Sequence, residues 1–318
     1  MNLKKKLLLP LILLLLFVAN DMSAQQDAQY TQYMFNTITV NPAYAGSRGQ
    51  FSAAALYRAQ WVGLDGAPET FTLNLHSPIR NSNLGYGISI VNDNIGDGVV
   101  SETYLDAVIS YTVDVSLEGK LSFGVKAGGN ILNLDFNELR NFDAEPVESD
   151  NIENRFSPNV GVGIYYHSNK FYAGLSAPNL LQTEHFDNTQ SSASSVQFLS
   201  KERINFYLIT GYVFDLSPNF KFKPALLTKA VGGAPLQVDF STSFLYNDKF
   251  SFGAAYRWDA ALSALAGFQI TDQLMVGVAY DRETTALGGT QFNDGSFEVF
   301  LRYELVKSFN KLVSPRFF

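Results

Sequence analysis

From Gln237 to Tyr246, Val238, Phe240, Thr242, Phe244 and Tyr246 alternate with Gln237, Asp239, Ser241, Ser243 and Leu245. Phe250, Phe252, Ala254, Tyr256 and Trp258 interleave in the same way with Ser251, Gly253, Ala255, Arg257 and Asp259. Phe297, Val299, Leu301 and Tyr303 interleave with Glu298, Phe300, Arg302 and Glu304, and Leu121–Gly128, Val160–His167 and Leu274–Asp281 repeat the pattern. Period two sends successive side chains to opposite faces of a β-strand. Followed along the chain, it predicts about fourteen strands near 50–58, 69–77, 84–92, 101–113, 119–132, 157–167, 170–177, 204–215, 219–228, 236–246, 249–258, 260–270, 273–282 and 295–305. Most match the ~9–11 residues that a tilted strand needs to cross a bilayer, and exceed the ~5–6 usual in soluble sheets.

The links between these strands fall into two classes. Those after even-numbered strands are short, centred on Ser116-Leu117-Glu118, Ser168-Asn169, Ser217-Pro218, Asn247-Asp248 and Thr271-Asp272, with Pro78 to Asn83 slightly longer. Those after odd-numbered strands are mostly longer, reaching 133–156 and 178–203; the tight link between strands 11 and 12 is the exception. One strand face is Phe, Tyr, Leu and Val. The other is Gly, Ser, Asn and scattered charge, too polar for the core of a sandwich or propeller. Short turns on one side, long loops on the other and an apolar outer face describe an all-β fold, an outer-membrane antiparallel β-barrel with a short N-terminal periplasmic segment. Tyr246, Trp258, Tyr280 and Tyr303 stand near strand ends, where a lipid-interface girdle belongs.

The N-terminus adds a destination. Lys4, Lys5 and Lys6 precede an apolar run from Leu7 to Val18, too short for a membrane helix, which takes ~20 residues. That is the layout of a cleaved secretory signal, with cleavage expected after Ala24. The implied organisation is 1–24 signal peptide, 25–48 N-terminal periplasmic segment, 49–306 barrel and 307–318 C-terminal periplasmic tail, in the outer membrane of a Gram-negative bacterium. The formal charge of −7 becomes −9 when three lysines and Asp21 leave with the signal (−7 − 3 + 1), which gives no electrostatic reason to bind nucleic acid. The chain contains no cysteine, which excludes disulfides, thiolate chemistry and a lipidated N-terminal cysteine.

Two stretches carry a resemblance. QYTQYMFNTITVNPAYAGS runs from Gln29 to Ser47, and YRAQWVGLDGAPETFTLNLHSPI from Tyr57 to Ile79. Through Gln29, Gln32-Tyr33-Met34-Phe35-Asn36, Asn41-Pro42-Ala43-Tyr44-Ala45-Gly46, Gln60-Trp61, Gly63, Gly66-Ala67-Pro68 and His76-Ser77-Pro78, the chain resembles the PorP/SprF family of Bacteroidetes outer-membrane proteins. Ala28 stands where a proline would be expected. The resemblance implies an accessory barrel of type IX secretion and gliding motility. Such a barrel binds the C-terminal secretion domain of a dedicated, adhesin-like exported partner, supports its export and holds it at the surface. It also implies contact with other type IX components in the periplasm. The residues themselves leave a porin-like small-solute channel as the alternative.

Within the first stretch, Tyr30, Tyr33 and Met34 have i, i+3, i+4 spacing, so a short helix capped by Asp27 would present them on one face. Asn41-Pro42 would end that segment and Gly46 would let the chain turn into the barrel. Tyr30, Tyr33, Met34, Phe35 and Tyr44 are therefore expected as partner-binding side chains at the periplasmic mouth, packed in or across it as a partial plug or docking piece, against the alternative of a flexible leader. Asp239, Arg257, Asp259, Asp281, Arg302 and Glu304 are expected on the lumen face, either bracing the wall by cross-strand pairing or gripping a cargo segment.

No enzyme is expected. His76, His167 and His185 are the only histidines, spread over two strands and a loop, and on a strand His76-Ser77 and His167-Ser168 point to opposite faces. No metal, cofactor or catalytic residue is assigned. The acidic residues of 133–156 could hold Ca²⁺ or be simply solvated, and they lack the spacing of a defined calcium loop. The loop 178–203 and the tail's Arg316 and Phe318 are further candidate contacts for cargo or apparatus.

Overall fold

The computed structural model describes residues 29–135, 137, 151–182, 203–290 and 293–305. Fifteen strand segments follow one another: β1 (Ser52–Ala59), β2 (Glu69–Pro78), β3 (Leu84–Ile95), β4 (Val100–Asp114), β5 (Lys120–Leu134), β6 (Ile152–His167), β7 (Phe171–Ala177), β8 (Asn205–Tyr212), β9 (Phe214–Ser217), β10 (Phe220–Val231), β11 (Gln237–Tyr246), β12 (Phe250–Arg257), β13 (Ala261–Gln269), β14 (Leu274–Glu283) and β15 (Ser296–Glu304). Each pairs antiparallel with its neighbours, and β1 closes the ring against β15 from Ser52↔Glu304 to Ala59↔Phe297. β8 and β9 both pair with β10 and occupy one position in the wall, separated at Val213. The result is a closed barrel of 14 strands. No helix among the described residues is long and apolar enough to cross a membrane. The crossing is made by strands, which closure leaves with no unpaired edge in lipid.

Burial follows the alternation. On β15, Ser296, Glu298, Phe300, Arg302 and Glu304 are buried, while Phe297, Val299 and Leu301 are exposed to the outside. The same parity exposes Phe240, Phe252, Tyr256, Ile109, Val125, Leu208 and Val278, and turns Ser110, Ser122, Ser241, Ser243, Ser251 and Ser263 inward. An apolar band meets lipid and a polar face lines the lumen, as expected for an outer-membrane barrel. Tyr246 and Trp258 are exposed near strand ends, in keeping with a girdle.

Several strands outrun their apolar stretches. β3 continues to Ile95 and β10 to Val231, and β6 begins at Ile152, so the long link expected over 133–156 narrows to 135–151. The extra turns of ladder are polar: Asn92, Asp93 and Asn94 pair with Thr103, Glu102 and Ser101. Backbone pairing with a neighbour carries these ends beyond the membrane-facing pattern, which the side chains alone do not announce.

Inside the barrel lies the chain's own N-terminal segment. Residues 31–36 make turns closed by Phe35 N donating to Gln32 O (3.0 Å) and Asn36 N to Tyr33 O (3.0 Å). A single helical turn, α1 (Thr37–Val40), follows, then a 3₁₀ turn over Pro42–Tyr44 whose first available N–H, that of Ala43, donates to Asn41 Oδ1 at 3.0 Å. Proline at the first position of that turn sacrifices no hydrogen bond. Gly46, at φ +73°, then turns the chain toward β1. The expected end at Asn41-Pro42 and turn at Gly46 are both present, but the helix lies over 37–40 rather than under Tyr30, Tyr33 and Met34. Asp27, the expected signal 1–24, most of the acidic loop, most of 178–203 with His185, and the expected tail 307–318 lie outside the described residues.

Candidate functional site

The occupied lumen is the candidate site. Tyr30, Thr31, Gln32, Tyr33, Met34, Asn36, Ile38, Val40, Asn41, Ala43, Tyr44 and Ala45 are all buried. A segment at the mouth, facing aqueous periplasm, would leave its aromatics exposed. Tyr33 is instead only 2% exposed. Of the two forms expected for this segment, a partial plug or a docking piece, the packing is that of a plug: Tyr30, Tyr33, Met34, Phe35 and Tyr44 pack against the barrel's own wall, deeper than the mouth. The physical reason is that an apolar face needs any complementary surface, and the lumen is the nearest.

One end of the segment meets charge. Glu298 Oε1 accepts from Thr31 N (2.6 Å) and from Arg58 Nη1 (2.6 Å), and Oε2 accepts from Gln32 N (2.9 Å). Arg58 Nη1 also donates to Asp281 Oδ2 (2.7 Å), and Thr31 Oγ1 donates to the same oxygen (2.5 Å). Beside this cluster, Arg257 Nε donates to Asp239 Oδ1 (2.7 Å) and Arg257 Nη2 to Tyr30 O (3.5 Å). Tyr33 OH lies 3.2 Å from Ser241 Oγ, and Thr72 Oγ1 donates to Tyr30 OH at 3.1 Å. All of these wall groups are buried, so each charge depends on its partner.

The middle is held by rings and amides. Phe35 stacks on Phe300 with centroids 3.7 Å apart and planes at 20°, and the Arg302 guanidinium lies 5.5 Å from the Phe35 ring. Asn74 Nδ2 donates to Asn36 Oδ1 and to Thr39 Oγ1 (3.1 Å).

The other half meets glycine. Gly124 and Gly163 are cross-strand partners on β5 and β6. A Cβ on Gly124 would strike the backbone of Pro42 and Ala43, and one on Gly163 would strike the Asn41 side chain. Here glycine is required by close approach, since nothing else lets Asn41-Pro42-Ala43 lie against the wall. Hydrogen bonds here involve backbone: Asn41 Nδ2 donates to Ile164 O (3.1 Å), Ser176 Oγ to Val40 O (2.7 Å), Ser110 Oγ to Ala45 O (2.7 Å), and Gly46 N to His76 Nδ1 (3.2 Å), while the Tyr44 ring meets His76 and Tyr165 edge-on. At the rim, Glu304 accepts from Arg48 Nε (2.6 Å) and Gln50 Nε2 (3.0 Å). Burial alone would lower the Arg48 pKa, but Glu304 and the Tyr44 hydroxyl hold it above its ordinary value, so this pin stays charged.

Register fixes where the two ends lie. Ser52↔Glu304 sits at the rim of short turns, and Arg58↔Glu298 six residues further along β1. At ~3.4 Å per residue, the charged cluster lies about 20 Å along the strand toward the rim of long connections. By the layout of outer-membrane barrels the short turns are periplasmic. The segment therefore runs inside the wall, its earlier end toward the outer side.

Of the expected lumen charges, Asp239, Arg257, Asp281, Arg302 and Glu304 are buried and inward. Asp259 is not among them. It occupies the β12–β13 turn at φ +51°, exposed, and accepts from Trp258 Nε1 at 2.9 Å. The alternation that predicted it had already ended at Arg257, because the hairpin needs those residues to reverse the chain. Sequence reading missed Arg58, Glu298, Arg48 and the buried Lys126–Asp106 pair (2.6 Å). Their inward parity was legible, but their pairings join distant parts of the chain. Among the described residues no group of three or more His, Asp or Glu is placed to hold a metal ion.

The second of the two stretches lies along one side of the first. Its strand, β2, supplies Thr72, Asn74 and His76 to the segment. Its loop over 60–68 is tied to the outer rim by Trp61 Nε1 donating to Glu283 Oε1 (3.1 Å) and Val62 N donating to Gly295 O (2.8 Å). A family model described as "Type IX secretion system membrane protein PorP/SprF" matches residues 22–303. No curated protein matches. Among solved structures, Omp33 of Acinetobacter baumannii is similar at 9% identity and TM-score 0.46, covering 80% of this chain and 99% of that one. A mutant of the monoaromatic hydrocarbon channel TodX gives 8%, 0.47, 87% and 94%, and the KdgM porin 8%, 0.37, 80% and 99%. These neighbours are outer-membrane barrels.

Proposed function

We propose that this chain, which belongs to the PorP/SprF family of type IX secretion system membrane proteins, is an accessory barrel for one dedicated exported partner. It binds the C-terminal secretion domain of a large adhesin-like protein, supports its export and retains it at the cell surface. Family membership supports a role in type IX secretion. The observation that carries the choice against a porin-like solute channel is the occupied lumen, filled by Tyr30 to Arg48 through contacts with β1 to β7 and β11 to β15. A standing, water-filled pore of the porin kind needs that space free. A barrel that binds a protein does not.

Deleting the gene and shaving surface proteins with protease tests this reading. The expected outcome is loss of one large surface protein while other type IX cargo is still displayed. Normal display of every cargo would overturn it. Contact with periplasmic type IX components belongs to the same reading and is tested by crosslinking in intact cells.

A further inference from the structure

The internal segment is held by two different kinds of contact, and they divide it lengthwise. From Asn41 to Gly46 the fit is chiefly steric: a Cβ on Gly124 or Gly85 would strike its backbone and one on Gly163 the Asn41 side chain, with neutral hydrogen bonds joining Asn41, Ala45 and Gly46 to the wall beside them. Just beyond, Arg48 and Gln50 bind Glu304, and the chain is covalently continuous with β1. From Tyr30 to Gln32 the hold is hydrogen bonding to charged groups. One carboxylate, Glu298, takes two successive backbone N–H groups while Arg58 holds that carboxylate and Asp281 in place. A hydrogen bond to a buried ion is strong while closed, but a water or another donor that enters the wall can replace it, whereas a close-packed backbone has no substitute.

We propose that residues 29–48 form a strap with one fixed and one releasable end. Glu298, positioned by Arg58 and Asp281, is the latch on Thr31 and Gln32. Arg48–Glu304 and the glycine-backed Asn41–Gly46 are the anchor. Because the latch lies toward the long-connection rim, the strap loosens at its outer end first, up to the Phe35–Phe300 stack. Release leaves the Arg58–Asp281–Glu298 cluster with one cation facing two carboxylates, a net negative site inside the wall. This is independent of the partner proposed above: the strap can be latched whether or not an exported protein binds.

The absence of cysteine makes the test direct. Single cysteines are placed at Gln32 and, separately, at Ala43, in the full-length protein in outer-membrane vesicles. Each is combined with an intact latch or with Glu298→Gln, which keeps the shape of the side chain and gives up one acceptor. Labelling by a membrane-impermeant maleimide is timed. Heat-modifiable migration on gels confirms that each barrel is folded. The expected result is at least a tenfold faster reaction at position 32 in the Glu298→Gln background, with position 43 unchanged. Equal acceleration at both positions would mean that the segment leaves as a whole, and no acceleration at position 32 would mean that Glu298 is no latch. Either outcome overturns the proposal. If Glu298→Gln fails to fold, Thr31→Val, which removes the hydroxyl donated to Asp281, takes its place under the same two criteria.

Discussion

The wall presents two unlike surfaces to the same short segment. On β11 to β15 and β1 it offers buried ions: Asp239–Arg257, Arg58 with Asp281 and Glu298, and Arg302 with Glu304. On β3 to β7 it offers glycine and serine: Gly85, Gly124, Gly163, Ser110 and Ser176. The first surface recognises by charge and the second by shape. A buried ion is costly unless its partners are all in place, so the charged side is sensitive to what is removed. The glycine surface has only single neutral hydrogen bonds to lose, from Ser110 and Ser176, and is sensitive chiefly to what is added.

The difference can be broken from either side. The largest effect is expected from Arg58→Met, which leaves Asp281 and Glu298 buried without their cation and should cost about 3–5 kcal/mol. It is measured as a lowered midpoint of urea unfolding in lipid vesicles, and it should be partly restored by adding Glu298→Gln and Asp281→Asn. Next comes Gly163→Val. Its side chain would occupy the place of Asn41, and forcing it in should cost about 1–3 kcal/mol or expel the segment. Protease cutting within 29–48 separates these results, since only expulsion exposes the segment. Ser110→Ala removes one hydrogen bond to Ala45 O and should cost about 1 kcal/mol by the same unfolding measurement. The smallest effect is expected from Asp259→Asn, outside the lumen in an exposed turn, which should stay within about 0.5 kcal/mol. A large loss there would return Asp259 to the wall's ion pairs and blur the comparison.

How much of this was legible in the sequence follows the same division. Strand number, closure and lipid-facing positions came from period two, because a lipid-facing residue is chosen by its immediate surroundings. Phe252 and Val299 announce themselves in that way. Inward position was legible too, for Asp281 and Arg302 as for Glu298. What Glu298 does was not, since it depends on Thr31, 267 positions away along the chain. The spacing of Tyr30, Tyr33 and Met34 signalled a face in need of a partner and left a partial plug and a docking piece both open, because nothing local says which surface will cover it. The glycine surface was the hardest to see. Gly124 and Gly163 read as ordinary strand glycines until Asn41-Pro42-Ala43 is laid against them. Asp259 failed for a local reason: alternation runs on through a hairpin turn on paper, while the backbone has already reversed.

The chain's own residues 29–48 occupy the lumen, and the proposal of a protein partner in place of a solute stream rests on that occupation. Conductance of the purified full-length protein in planar bilayers tests it most directly, with a variant lacking residues 25–47 as the open reference. The intact protein should show no steady steps, and the shortened one should show steps of a size set by the emptied barrel. A steady open pore in the intact protein, equal to that of the shortened one, would contradict the account.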